Sequence, residues 1–324
     1  MALLFAYLSP FISPSSSWFF SFFGLGYPFL FLINALFFFF WLVFKPKYAV
    51  LSGLFLLLGI GPINKMIGFA GDKPKKKGLE IMTYNIGKTR IDFHYNNRQK
   101  KIDRFKKFIA QEKPDIICIQ ERLPRHLEYY EEIFAGYHLH PDSDIGTAIY
   151  SKHPIVQAGN IAFNTKSHNA TWADIKIKNH TFRIYSVHLS SNRVPNLTDN
   201  VKEIWDESKY IINKYNEHAI LRMEQLEEVL AHAETSPHPV IINGDFNDVP
   251  QSYVYRMIGQ KYQDAFVEKG NGIGQTFHSR FIGLRIDYTF ASEAVEILDH
   301  EILKSKISDH FPVVTTIATT PRTL

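Results

Sequence analysis

The chain has 324 residues, 45% of them apolar and 15% aromatic, with 36 basic against 32 acidic side chains. No charged residue precedes Lys45, and 15 of the 27 phenylalanines fall in the first 71 residues, which excludes both a disordered chain and a uniformly soluble one. The lone Cys118 excludes a disulfide framework within the chain and a cysteine-rich zinc site.

Residues 27–44, YPFLFLINALFFFFWLVF, form an 18-residue run interrupted only by Asn34. At ~1.5 Å per residue such a helix covers most of a ~30 Å hydrocarbon layer. Tyr27 and Trp41 suit the interfaces, and Lys45 and Lys47 close the run. Residues 48–63 are also uncharged but shorter, and carry Gly53, Gly59, Gly61 and Pro62. They either span by extending toward Phe69 or lie partly in the interface. Residues 1–12 are apolar up to an SPSSS stretch and read as a partial span. A cleaved signal peptide fits poorly, because a basic leader and a small-residue cleavage site are both missing. Residues 1–70 are therefore expected to be a retained membrane anchor of two or three helices, making the chain a multi-pass protein of the cell membrane. Residues 71–78, with the KPKKKG run, read as a basic linker, either solvated or resting on anionic headgroups. Lysines lie on both sides of the apolar segments, so the facing of the C-terminal part is left open.

From residue 79 onward the pattern is that of an α/β domain. Strands are expected at 79–84, 115–120, 146–151, 170–177, 181–189, 240–243, 286–290 and 312–316, and helices at 99–111 and 202–233. Several strands are joined by short turns, which favours a mixed sheet or two packed sheets over a uniform doubly wound fold. This part holds 29 basic and 31 acidic residues, so its charge gives no support for gripping a long polyanion.

Polar residues recur just after the short apolar strands. Asn85 follows the first, Gln120 and Glu121 the second, and His188 ends TFRIYSVH. Gly244, Asp245, Phe246, Asn247 and Asp248 follow VIIN, Asp287 lies in RIDYTF, and Ser308, Asp309 and His310 precede FPVV. Singly, a strand-end Asn or Glu is most often a turn or cap residue. GDFND is the stronger signal, with three polar side chains in one turn beside a buried strand. A carboxylate such as Asp245 can orient and deprotonate water, and Asn247 can donate to water or phosphate without repelling it. Arg222, on the long helix, has the spacing of a packing face.

TYNIG, IQE, GDFND, RIDY and SDHFPV, in this order, resemble the endonuclease/exonuclease/phosphatase superfamily from about residue 81 to 316. The resemblance implies a four-layer α/β sandwich of two mixed, mostly antiparallel sheets flanked by helices, carried here beside N-terminal transmembrane helices. It also implies a divalent-metal phosphoesterase acting by in-line water attack, with Mg²⁺ as cofactor and Mn²⁺ as substitute. Asn85, Glu121 and Asp309 would bind or orient the metal, an oxygen-only set that suits such hard cations. Asp245 and Asn247 would serve the attacking water, with His188 and His310 on the phosphate and Asp287 as the partner of His310. The expected partners are a phosphate ester, from nucleic acid or a phospholipid headgroup, and the lipid bilayer. No protein partner is implied. The alternative is a non-catalytic, membrane-tethered binding module of the same fold, which the full set of motif residues disfavours.

Overall fold

A computed structural model describes residues 1–71, 77–87, 98–123, 127–139, 146–165, 168–192, 201–278 and 283–322. The side chains of residues 98, 101 and 201–209 lie outside the description. Most of the basic linker, residues 72–76, and residues 193–200 also fall outside it.

The N-terminal region is helical: α1 (Ala2–Leu8), a 3-10 turn (Ser9–Phe11), α2 (Trp18–Leu25), α3 (Tyr27–Phe44), α4 (Pro46–Leu58) and α5 (Ile60–Asn64). Proline at the start of α3 and of α4 fits the first turn, where its missing N–H costs nothing. Among the described residues α3 is the one helix that by itself is long and apolar enough to cross a membrane, at a mean hydropathy of 2.1, where two or three were expected; α4 is apolar but shorter. The glycines after Leu58 end α4 early, and the polar Ser13–Ser17 stretch separates α1 from α2.

Then follow β1 (Ile67–Phe69), β2 (Leu79–Asn85), α6 (Arg98–Glu112), β3 (Ile116–Arg122), α7 (Leu127–Ile133), β4 (His138–Leu139), β5 (Gly146–Ser151), β6 (Ile155–Ala162), β7 (Asn169–Ile177) and β8 (His180–His188). After them come α8 (Val201–Glu234), β9 (Val240–Asp245), α9 (Tyr253–Gly259), β10 (Gln263–Asp264), α10 (Ala265–Lys269), β11 (Asn271–Ile273), β12 (Phe277–His278) and β13 (Gly283–Leu284). The chain ends with β14 (Asp287–Ala291), β15 (Ile297–Ile302) and β16 (Val313–Ile317). Two six-stranded mixed sheets result, ordered β10-β14-β9-β8-β7-β6 and β15-β16-β2-β3-β5-β4. Each contains one parallel pair, β8 with β9 and β2 with β3, and each pair is joined through a helix, α8 or α6. This is the two-sheet α/β architecture that the motifs implied.

The inward-facing rows explain where the site lies. Successive strand residues face opposite sides, so every second residue shares a face. Ile81, Ile116, Cys118, Ile184, Ile241 and Ala291 are buried in one cluster between the sheets. Two or four residues along the same rows come Thr83 and Asn85, Gln120, Ser186 and His188, Asn243 and Asp245, and Thr289 and Asp287. Each row thus passes from an apolar core to neutral polar groups and then, on four of the five strands, to a site residue. The polar middle is hydrogen-bonded: Gln120 Nε2 donates to Ser186 Oγ at 3.0 Å and to Thr83 Oγ1 at 3.1 Å, and Thr289 Oγ1 donates to Asn243 Oδ1 at 2.9 Å. The alternate rows (Met82, Tyr84, Ile117, Ile119) pack outward on Ile102, Phe105 and Ile109 of α6 and on Tyr130 and Ile133 of α7.

The chain divides into two compact units: Met1–Lys65 with Ser190–Glu227 and Asn247–Gln260, and Met66–Leu189 with Glu228–Phe246 and Lys261–Leu324. These units do not follow the linear division at 70 and 78. In the first unit the N-terminal helices pack on parts of α8 and α9. In the second, β1 pairs with β11, Ile67 opposite Ile273.

Candidate active site

The site forms at the C-terminal ends of the two parallel pairs. In register, His188 on β8 lies beside Asp245 on β9, and Asp245 lies beside Asp287 on β14. Gly244, just before Asp245, has φ 145°, and a Cβ there would sit 2.0 Å from the carbonyl oxygen of Val187, so the two strands approach as only glycine permits. On the other sheet Asn85 ends β2 beside Gln120.

Period-two alternation would send Glu121 outward with Ile117 and Ile119. Instead Glu121 has φ 62° and sits in a register shift between Ile119 and Arg122. A bulge of this kind re-aims a side chain, and Glu121 Oε1 lies 3.9 Å from His188 Nε2.

Asp245 is the centre. Its Oδ2 accepts a hydrogen bond from Asn85 Nδ2 at 2.8 Å, and lies 3.8 Å from the Nε2 of both His188 and His310. The second distance exceeds a direct hydrogen bond and leaves room for an intervening oxygen. His310 Nδ1 lies 2.9 Å from Asp287 Oδ2 and 3.1 Å from Oδ1, while Phe277 packs its ring 4.8 Å away. Burial by itself pushes the His310 pKa down, but Asp287, Asp245 and Asp309 outweigh it and raise it to about 10. His310 is therefore an imidazolium at neutral pH.

Ser308 fastens the last motif to β2. Its hydroxyl donates to the Asn85 carbonyl at 2.9 Å and accepts from the His310 N–H at 3.2 Å. Asp309 lies against Gly87, where a Cβ would come within 2.6 Å of Asp309 Oδ1.

The structure thus brings together Asn85, Glu121, His188, Asp245, Asp287 and His310, with Asp309 alongside. Asn247 has a left-handed backbone (φ 51°), which asparagine tolerates, and belongs to the unit that contains Ser190–Glu227. His168, in none of the motifs, sets its ring 4.8 Å from the His188 ring at a tilt of 57°. Its signal was its place just before β7, whose first residue Asn169 pairs with His188.

Arg222 lies on a buried face of α8, as its spacing suggested. It is fully buried and hydrogen-bonds Asp248 Oδ2 at 3.1 Å, the Ser190 carbonyl at 3.1 Å and Asn192 Oδ1 at 2.7 Å. One turn on, Gln225 Oε1 accepts from the Ser190 N–H at 2.8 Å and Gln225 Nε2 donates to the Ser190 hydroxyl at 3.0 Å. Together they clasp the residues that follow His188 and Asn247 in the chain.

Among the described residues Asp245, Asp287 and His310 offer ligand atoms within 4.8 Å of one another. Asn85 Oδ1 accepts from the Gly87 N–H at 2.9 Å and keeps its second lone pair, and its amide is turned to Asp245. The carboxylates gathered here and the Asn85 carboxamide oxygen fit a hard divalent cation. Asp245 and Asp287 are buried and the Glu121 side chain is 20% exposed, so the carboxylates outnumber the His310 imidazolium, and a cation would offset the surplus.

A model of the endonuclease/exonuclease/phosphatase family matches residues 82–310. The chain belongs to that family. Its members are hydrolases of phosphoester bonds. Residues 1–66 match a domain of unknown function. No curated protein sequence matches the chain. Several solved structures share the fold. A humanized D. rerio TDP2 carrying 14 mutations superposes with a TM-score of 0.56 at 20% identity, over 74% of this chain and 98% of that one. The catalytic domain of human nocturnin, with a bound sulfate, gives 0.54 at 17% identity over 74% and 93%. A mannosyl-6-phosphatase from Bacteroides thetaiotaomicron gives 0.52 at 17% identity over 74% and 99%.

Proposed function

We propose that this family member is a membrane-tethered phosphoesterase that uses Mg²⁺ or Mn²⁺ and hydrolyses a phosphodiester or phosphomonoester by in-line attack of water. The observation that carries the reading is Asp245 Oδ2, held by Asn85 and flanked by two imidazole nitrogens at 3.8 Å. Asp245 orients the water and takes its proton. Asn247 donates to the water or the phosphate. His310, kept charged by Asp287, faces the negative charge that grows on the phosphoryl group. His188 acts on the leaving group or a phosphate oxygen. Glu121, Asn85 and Asp309 are the residues that would hold the cation, with Asp245 close by. When bound, the cation supplies neutralisation of the phosphoryl oxygens and of the leaving oxyanion.

The tether is α3, whose outward surface is apolar and exposed at Leu32, Leu36, Phe39 and Val43. Residues 1–70 are the anchoring region and the C-terminal part is the enzyme. Both substrate classes, nucleic acid and phospholipid headgroups, suit the chemistry. A bilayer raises the local concentration of headgroups, which supports the lipid. The test is to incubate the full-length chain in detergent with supercoiled plasmid, sphingomyelin vesicles, inositol phosphates and a sugar phosphate. One substrate is consumed with Mg²⁺ or Mn²⁺, and turnover stops with chelator and in Asp245→Asn. Undiminished turnover in chelator overturns the metal requirement.

A further inference from the structure

α3 and α4 form an antiparallel hairpin. Tyr27 Oη donates to the Gly59 carbonyl at 3.1 Å, Asn34 Nδ2 donates to the Ser52 carbonyl at 3.0 Å, and the Trp41 and Tyr48 rings meet at 5.3 Å near the tip. The polar amide of Asn34 is thus satisfied inside the pair, as a hydrocarbon environment demands. Gly53 lets the helices close up, since a Cβ there would lie 3.1 Å from the Phe38 ring.

Both roots of this hairpin are held by water-facing chain. Before α3, the Ser21 carbonyl accepts from Tyr215 Oη of α8 at 3.1 Å, and Gly24 is pressed against the Gln251 carbonyl. Further back, the Ala6 carbonyl accepts from Gln251 Nε2 at 3.0 Å and Phe11 lies 4.2 Å under the Arg256 guanidinium. After α5, Lys65 Nζ lies 5.0 Å over the Tyr255 ring of α9. The α8 and α9 segments carry Lys214, Glu217, Glu224 and Arg256, so they stay in water. At the other end, Lys45 and Lys47 are exposed and no root contact reaches them.

We infer that residues 27–64 cross a phospholipid bilayer twice as one hairpin, so that residues 1–26 and the catalytic part share one side and the Lys45–Lys47 tip emerges on the other. This rests on the membrane reading above. α3 supplies about 27 Å, and residues 46–64, counting α4 and α5 together, supply about the same length, close to the ~30 Å of a hydrocarbon layer. The bilayer is the occupant because exposed aromatic and aliphatic side chains ring the hairpin, from Phe29 and Leu36 to Leu51 and Leu57, while the tip lysines complement lipid phosphates one layer away. α1 and α2, although apolar, lie on the root side as an interfacial collar and do not span.

Single cysteines at three exposed positions test this in the full-length chain, since Cys118 is buried. Ser16→Cys, Lys47→Cys and Glu217→Cys are expressed, and right-side-out and inverted vesicles are treated with a membrane-impermeant maleimide. Ser16→Cys and Glu217→Cys label from the same face, and Lys47→Cys loses labelling there and gains it from the opposite face. In a chain that resists carbonate extraction, labelling of all three from one face overturns the hairpin crossing, as does grouping of Ser16→Cys with Lys47→Cys. Release by carbonate overturns the membrane reading itself.

Discussion

At residue scale, Asp245 is tested by Asp245→Asn, which keeps the shape but removes the charge and the proton acceptor. We expect kcat/KM to fall about 10²- to 10⁴-fold in steady-state assays, the range for losing a positioned base. A second residue makes a separate prediction about stability. His300 is buried with its Nδ1 2.9 Å from Thr315 Oγ1. Burial, helped by Arg285 and opposed by Asp264, lowers its pKa from 6.5 to about 3. A group whose folded pKa is depressed gives stability that is complete above the unfolded value and lost as pH falls. The unfolded chain therefore takes up a proton below about pH 6.5 that the folded chain refuses, and by pH 5 this costs roughly 2 kcal/mol. Denaturant titrations at pH 7 and pH 5 will show that loss in the wild type and a smaller one in His300→Gln.

At the scale of elements, most of the sheet was legible, because buried β-branched runs such as IICIQ and VIIN carry both composition and period. β6 was not, as its residues Ile155–Ala162 are half exposed at an edge and interrupted by Gly159. Nor was α9, seven residues long, whose N-cap Ser252 accepts from the Tyr255 N–H. Motif order had already grouped Asn85, Glu121, His188, Asp245, Asp287 and His310, which the structure brings together. What alternation could not reveal was how Glu121 turns inward, since its bulge breaks the period that the reading relies on. The polar role of Arg222 was hidden for a different reason, as its partners Ser190, Asn192 and Asp248 are distant in sequence. Two substitutions probe these elements. Gly244→Ala drives a methyl into the Val187 carbonyl at a positive φ, so expression of folded protein and activity fall together. Arg222→Met leaves Asp248 buried without its cation, at a cost of about 3–5 kcal/mol in urea unfolding, and adding Asp248→Leu recovers a measurable part of it.

At the scale of the whole molecule, the sequence suggested a cut between anchor and enzyme, since charge and hydropathy change abruptly near residue 72. Composition reports which solvent a segment prefers, not which segment it packs on, and the compact units are divided differently. Residues 1–65 cover Tyr215 and Gln251 and supply carbonyl acceptors to both. Removing them exposes the apolar side of α8 that holds Tyr215, and also loosens the helix that carries Arg222 and Gln225. A chain beginning at Met66 should therefore be less stable than the full chain in the same detergent, not merely more soluble. If the lost packing is worth ~3 kcal/mol, the apparent Tm drops by roughly 6–12 °C for a domain of this size. The same truncation lowers kcat more than it changes substrate affinity, because the clasped loops after His188 and Asn247 lose their support. Equal melting temperatures and equal kcat for the two chains would mean that the N-terminal helices rest on α8 without stabilising it. A lower Tm with unchanged kcat would confine their contribution to stability.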